Sequence, residues 1–119
     1  MEKETKKRNQ LIPPKNIFKK IPNYDSLLDV ESFDDCMVYV KYFLAGFIWY
    51  VIAADEYPDG EILFYGYVKN PITPTYSEWG DFTLSQLQSF RALGFMKVER
   101  DKFFKPVKFL KLRQEENLY

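Results

Sequence analysis

The chain contains no histidine and only one cysteine, Cys36. Without histidine, a Ser-His or Cys-His catalytic pair and every His-ligated zinc site are excluded. A single cysteine cannot form an intrachain disulfide, which favours a cytoplasmic location. A nucleophilic Cys36 would need another base, and the neighbouring Asp34 and Asp35 would raise the pKa of its thiol. We therefore interpret Cys36 as a small apolar side chain that enters a strand.

Glycine and long apolar runs are also scarce. The five glycines are scattered along the chain, so a glycine-rich phosphate loop is absent. The longest apolar stretch, residues 42–54, falls well short of the roughly 20 residues that a transmembrane helix needs. The charged segment 1–10 lacks the apolar core of a signal peptide. These features predict a soluble, cytoplasmic protein that does not bind a membrane.

Aromatic residues, by contrast, are abundant: 11 Phe, 9 Tyr and 2 Trp among 119 residues. A chain of this length has the size of one domain, and aromatic rings build a small core from few side chains. We predict a flexible basic tail over residues 1–10, a single α+β domain over residues 11–112 and a frayed C-terminal tail over residues 113–119.

Charge is segregated along the chain although the net charge is zero. Residues 1–22 hold seven Lys/Arg and two acids, and residues 23–81 hold two Lys and eleven acids. Residues 82–119 return to eight Lys/Arg against four acids. This pattern indicates a dipolar surface, unless folding brings the blocks together and cancels them.

The secondary-structure signals alternate between strands and short helices. Strands are predicted at 37–44, 47–54, 61–69 and 97–104, with a short one at 80–82, and helices at 15–21, at 84–92 and after Pro106. Thr83 and Gln86 have the spacing of a capping box at the start of the second helix. The fold class is α+β, a small antiparallel β-meander sheet of about four or five strands packed with one to three short helices.

A tyrosine-rich face of the sheet is the first candidate binding surface. Alternation along the third strand places Tyr65, Tyr67 and Lys69 on one side, and Tyr39 and Lys41 in the first strand extend it. Tyrosines beside lysines suit the stacking of nucleic-acid bases. The alternative is that these rings are half-buried beneath a helix with their hydroxyls at the rim.

A basic stripe near the C-terminus is the second candidate. Lys102, Lys105, Lys108 and Lys111 recur every three residues, and Arg113 follows. On a helix this spacing places lysines on one side, where they suit phosphates or an acidic protein partner. The alternative is a solvated face that keeps the domain soluble.

The segment Glu99-Arg100-Asp101 is the third candidate. Two carboxylates on one face of a strand are too few ligands for a divalent cation, and nothing in the sequence separates their pKa values as acid–base catalysis requires. We interpret Glu99, Arg100 and Asp101 as structural ion-pairing groups. No catalytic residue, metal or cofactor is predicted.

Several segments together resemble a bacterial family of unassigned activity. The segments are Ile21-Pro22, Val38-Tyr39-Val40-Lys41-Tyr42-Phe43, Trp49-Tyr50-Val51, Phe64-Tyr65-Gly66-Tyr67-Val68, Gly80-Asp81-Phe82-Thr83-Leu84-Ser85-Gln86-Leu87, and Val98-Glu99-Arg100-Asp101 leading to Phe103-Phe104-Lys105-Pro106. This combination is similar to the family called domain of unknown function 2958, over residues 11–112. The resemblance implies carriage on conjugative plasmids, integrated elements and phages, often beside anti-restriction genes.

Three classes of function follow from these observations. The leading hypothesis is a non-enzymatic binding protein of a mobile genetic element, phage or conjugative, that acts as an anti-defence inhibitor. Its expected partner is a host CRISPR or restriction protein, held by protein–protein contact. The alternative is a single-stranded nucleic-acid-binding accessory factor of conjugation or replication. An enzyme ranks third, because without histidine it would have to work with carboxylates, Tyr and Lys alone.

Overall fold

The computed structural model describes residues 10–118, and its centre is a five-stranded antiparallel sheet. The strands are β1 Met37–Val38, β2 Val40–Leu44, β3 Phe47–Glu56, β4 Ile62–Lys69, β5 Glu78–Thr83, β6 Arg91–Ala92, β7 Met96–Lys97, β8 Glu99–Arg100 and β9 Val107–Lys108. Across the main sheet the order is β5-β4-β3-β2-β8, while β1 pairs with β9 and β6 pairs with β7. The predicted α+β meander is confirmed.

Short helices complete the fold. They are the α-helices α1 Lys15–Phe18, α2 Leu84–Ser89 and α3 Phe109–Glu116, and the 3-10 turns Tyr24–Asp29, Phe33–Asp35 and Pro74–Tyr76. In the part of the chain that the structure describes, none of them combines the length and apolarity that crossing a bilayer demands.

Both faces of the sheet are covered, which gives the domain two hydrophobic cores. On one face, Tyr42, Val51 and Phe64 pack against Leu11 and Ile21 of the N-terminal segment and against α2. On the other face, the buried residues are Val38, Tyr50, Ile52, Tyr67, Phe109, Leu112 and Leu118. Residues of α3 thus seal the second face, and neither broad face of the sheet is left free.

The first predicted strand is broken at Tyr39. Val38 packs into the core beneath α3, whereas Tyr39 packs against the opposite core. The Tyr39 amide still donates to the carbonyl of Val51 at 2.9 Å. The predicted placement of Tyr39 beside Tyr65 is therefore wrong, because the break reverses the alternation of side chains.

A close approach between β3 and β4 fixes the centre of the sheet. The pairing register shifts between Val51 and Ala53, as in a β-bulge, directly across from Gly66. A Cβ on Gly66 would lie 1.8 Å from the carbonyl oxygen of Tyr50. Only glycine permits this spacing.

Helix α2 begins as predicted and ends earlier. Thr83 and Gln86 form both hydrogen bonds of the capping box. The helix stops at Ser89 rather than Ala92, because Phe90 takes extended dihedrals (φ −68°, ψ 139°) and stacks its ring on Trp49 at 5.9 Å. The chain then forms the β6–β7 hairpin, which replaces the predicted end of the helix.

The C-terminal region is folded through residue 118. Helix α3 begins at Phe109 instead of at Pro106 and continues to Glu116. Arg113 holds it by a bidentate contact to Asp34, at 3.1 Å from Nε and 2.6 Å from Nη2, and Leu118 is buried. The predicted frayed tail therefore does not begin at residue 113. Except for Gln10, the predicted tail 1–10 lies outside the described residues.

Candidate functional site

The predicted tyrosine face is covered by α3 at Tyr67 and by two 3-10 turns at Tyr65. Tyr67 is 1% exposed, and its ring lies 5.2 Å from that of Phe109 and 5.4 Å from that of Trp79. Tyr65 is half-buried, and burial together with nearby Tyr24 and Asp81 raises the pKa of its phenol. The Tyr65 ring packs against those of Tyr24 and Phe33 in the 3-10 turns, at 5.2 and 5.7 Å. The two tyrosines do not form an open platform on which bases could stack. This face of the sheet therefore does not provide the predicted base-stacking surface.

The lysines of that face have separate surroundings. Lys41 is half-buried, and its Nζ lies 3.9 Å from Oδ2 of Asp101. Lys69 ends β4 opposite Ile48. Neither lysine faces an exposed tyrosine platform.

The residues of the Glu99-Arg100-Asp101 segment differ in their contacts. Asp101 contacts Lys41, and its Oδ1 accepts a hydrogen bond from the Phe103 amide at 2.9 Å. The Nε of Arg100 donates to the Gln10 carbonyl at 3.4 Å. Glu99 is exposed and forms no ion pair within residues 10–118.

The predicted basic stripe is dispersed. Lys102 and Lys105 lie before β9, Lys108 is the N-cap of α3, and only Lys111 and Arg113 are helical. The three-residue spacing therefore does not correspond to one helical face. Lys111 pairs with Glu115 at 3.9 Å and Arg113 pairs with Asp34, so two of the five cations already have acidic partners.

An open groove of about 680 Å³ lies beside β8 and α2. It is lined by Gln10, Leu11, Leu87, Gln88, Arg91, Lys97, Val98, Glu99, Arg100 and Lys102. Four of these side chains are cationic and one is anionic, so the groove is basic. Buried Leu87 and Val98 supply an apolar floor. Such a lining suits an acidic group that brings apolar surface with it.

The β6–β7 hairpin borders this groove and exposes apolar side chains. Leu93 is 84% exposed and Phe95 is 71% exposed, with Phe90 and Met96 partly exposed beside them. Arg91 pairs with Lys97 across the hairpin, so the strands that carry the apolar tip also supply two cations of the groove. Clustered exposed apolar side chains are typical of an interaction surface.

The tip of the hairpin is strained. Leu93 has a φ of +53° and Gly94 a φ of +79°. A left-handed conformation suits glycine or asparagine at such a turn and is unfavourable for leucine. A backbone outlier at an exposed leucine is a reason to test this tip for a binding role.

Catalytic chemistry gains no support from the titratable groups. Burial and the nearby Asp35 carboxylate raise the pKa of the Cys36 thiol, which makes it a poor nucleophile. Within residues 10–118, no three Cys, Asp or Glu side chains are grouped to hold a metal ion. That the protein works without a metal or cofactor stays a prediction.

The groove and hairpin bring together residues that the sequence analysis mostly missed. Of the predicted binding residues only Lys102 lines the groove, with Glu99 and Arg100 from the predicted ion-pairing group. The available signal was Leu93-Gly94-Phe95, a glycine turn flanked by apolar residues outside the helical period. This segment lies between the predicted helix 84–92 and the predicted strand 97–104 and is assigned no role in the sequence analysis.

Comparison with known proteins adds no relative. The chain matches no family model, no curated protein and no solved structure. The resemblance described above thus rests on the quoted sequence segments alone, and the functional assignment must come from the surface.

Proposed function

We propose that this chain is a non-enzymatic binding protein whose basic groove and apolar hairpin engage an acidic surface of another protein. The observation that carries the proposal is the exposed Leu93-Gly94-Phe95 tip beside Arg91, Lys97, Arg100 and Lys102. Apolar anchors surrounded by charge are the usual composition of a protein-binding patch, in which the charges steer association and the anchors provide most of the affinity.

Only the sequence resemblance bears on which protein the partner is. That resemblance supports a more specific proposal, an anti-defence inhibitor from a mobile genetic element that blocks a host CRISPR or restriction protein. The single-stranded nucleic-acid alternative no longer has a tyrosine platform and depends on the cations of the groove.

Affinity capture with paired variants tests this proposal. The purified chain is immobilised and exposed to host lysate beside two charge-reversed forms, Arg91→Glu/Lys97→Glu in the hairpin and Lys108→Glu/Lys111→Glu near α3. We expect an acidic protein to be retained by the wild type and by the α3 variant and to be lost from the hairpin variant. Equal retention by all three forms would contradict the proposed surface.

A salt-titrated binding assay with labelled single-stranded DNA separates the alternative. Phosphate contacts are strongest at low salt, so a nucleic-acid-binding groove would bind tightly there and lose affinity steeply as salt rises. We expect no binding that depends on Arg91 and Lys97. Binding that the hairpin variant abolishes would favour the nucleic-acid function over the protein-binding one.

A further inference from the structure

The outer edge of β5 is a second surface, at the opposite end of the sheet from the groove. In the order β5-β4-β3-β2-β8, β5 has only β4 as a neighbour among the described residues. An edge strand of this kind presents backbone donors and acceptors on its open side. Which residues present them can be worked out from the pairing.

The direction of the β5 backbone follows from the turn that joins β3 to β4. There the N–H of Tyr57, the residue after β3, donates a hydrogen bond of 2.8 Å to the carbonyl of Glu61. Because backbone groups alternate in direction along a strand, the odd-numbered residues of β4 face β3 and Gly66 faces β5. Gly66 pairs with Gly80. The N–H and C=O groups of Trp79 and Asp81, on either side of Gly80, therefore point away from the sheet.

Thr83 gives independent evidence for this direction. Thr83 lies two residues after Asp81, so its backbone groups should point in the same direction as those of Trp79 and Asp81. Its N–H donates to Oε1 of Gln86 at 2.8 Å instead of to β4. Among residues 10–118, no hydrogen bond outside the strand ladders reaches the backbone of Trp79 or Asp81. The edge thus offers two donors and two acceptors to an added strand.

The two faces of β5 beside this edge differ. A Cβ built on Gly80 has no atom within 4 Å, so one face of β5 is uncovered at its centre. On the other side Asp81 lies across from Tyr65, and the Tyr65 and Trp79 rings stack at 6.3 Å. Glu78 and Asp81 are both exposed. Trp79 itself is half-buried, with the rings of Phe33 and Phe109 at 4.7 and 4.5 Å from its own. The accessible side chains beside the open backbone are therefore mainly acidic.

This chemistry selects the occupant. Exposed carboxylates beside an open strand edge attract Lys or Arg by ionic contact. Antiparallel pairing of β5 with the β5 of a second copy would bring together two edges that each carry the exposed carboxylates of Glu78 and Asp81, which is unfavourable. We propose that the outer edge of β5 binds an extended basic segment of a partner protein by β-strand addition, with its Lys or Arg side chains beside Asp81.

A direct test uses the acetylated hexapeptide Lys-Val-Lys-Val-Lys-Val and its Glu-Val counterpart with the full chain. In the free protein, the amides of Trp79 and Asp81 should exchange with solvent faster than those of Gly80 and Phe82, which bond β4. Adding the lysine peptide should slow exchange at Trp79 and Asp81 by at least about tenfold, whereas the glutamate peptide should have no effect. Unchanged exchange with the lysine peptide would overturn the proposal.

N-methylated peptides separate strand addition from simple charge attraction. A lysine directly across from Asp81 points its own amide at β5, so methylating the lysine amides should abolish binding. Methylating the valine amides should leave affinity within about twofold, because those amides face away. Equal binding of both methylated peptides would contradict strand addition.

A charge variant and a mass measurement complete the test. Asp81→Lys should lower the affinity for the lysine peptide by about tenfold. The hairpin variant Arg91→Glu/Lys97→Glu should bind this peptide with the affinity of the wild type. The second result makes this surface separable from the proposed function. Concentration-dependent dimers that protect the Trp79 and Asp81 amides would assign the edge to a second copy and overturn the proposal.

Discussion

The sheet beneath α3 and the β6–β7 hairpin use the same kinds of side chain in opposite ways. Beneath the helix, Tyr50, Tyr67 and Phe109 are each exposed by 1% or less. At the hairpin, Leu93 and Phe95 are mostly exposed, and the backbone of Leu93 is strained. The aromatic residues beneath α3 are buried in the core, whereas the apolar residues of the hairpin stay exposed and can contact a partner. Side-chain type alone does not distinguish the two roles; the covering element does.

The largest difference should appear between two phenylalanines close in sequence. Phe109 is 1% exposed and Phe103 is 92% exposed. Phe109→Ala leaves a cavity against Tyr67 and Trp79 and should lower the free energy of unfolding by about 3–5 kcal/mol. Phe103→Ala should change it by less than about 0.5 kcal/mol. Urea unfolding followed by far-UV circular dichroism measures both, and similar losses would break the contrast.

Alkaline pH should act on the buried sheet. Burial, followed by the charges of Glu116 and Asp101, raises the pKa of Tyr50 to about 12. Since the folded-state pKa lies above the unfolded value of about 10, the stability is present below pH 10 and is lost as the pH rises toward 12. The expected loss is about 2–3 kcal/mol, measured by unfolding at stepwise pH with tyrosinate absorbance.

Tyr50→Phe is the control for this pH effect. The Tyr50 hydroxyl is buried without a hydrogen-bond partner among the described residues. Its removal should leave stability at pH 7 within about 1 kcal/mol of the wild type. It should make the alkaline decline smaller without abolishing it, because burial also raises the pKa of Tyr42. An alkaline decline of unchanged size in Tyr50→Phe would assign the effect to other groups.

The hairpin should show a smaller change of opposite sign. Leu93→Asn replaces an exposed leucine by a residue that tolerates a positive φ, so the free energy of unfolding should rise by about 0.5–1 kcal/mol. Calorimetric unfolding detects this as a higher midpoint temperature. A lower midpoint would show that Leu93 stabilises the fold, which would remove the reason to assign it to a partner.

Local patterns predicted much of the fold. The β2–β3 turn at Ala45-Gly46 and the Thr83–Gln86 capping box depend on neighbouring residues only, and both are present. The break at Tyr39 and the early end of α2 at Ser89 depend on packing between distant segments, including the stacking of Phe90 on Trp49. Such contacts leave no local signal.

The site was harder to predict than the fold. Lysine spacing suggested a helical stripe, but Pro106 is followed by a short strand before α3 begins, so Lys105 and Lys108 never join a helical face. The groove instead gathers residues from α2, the hairpin, β8 and the N-terminal segment. Its charge depends on which strands meet, and only the three-dimensional arrangement provides that.

The most direct test pairs stability with binding in the variant Leu93→Ser/Phe95→Ser. If the hairpin serves a partner rather than the core, the free energy of unfolding should stay within about 0.5 kcal/mol of the wild type while the captured acidic protein is lost. Retention of that protein at wild-type level, or a loss of stability comparable to that of Phe109→Ala, would contradict the account.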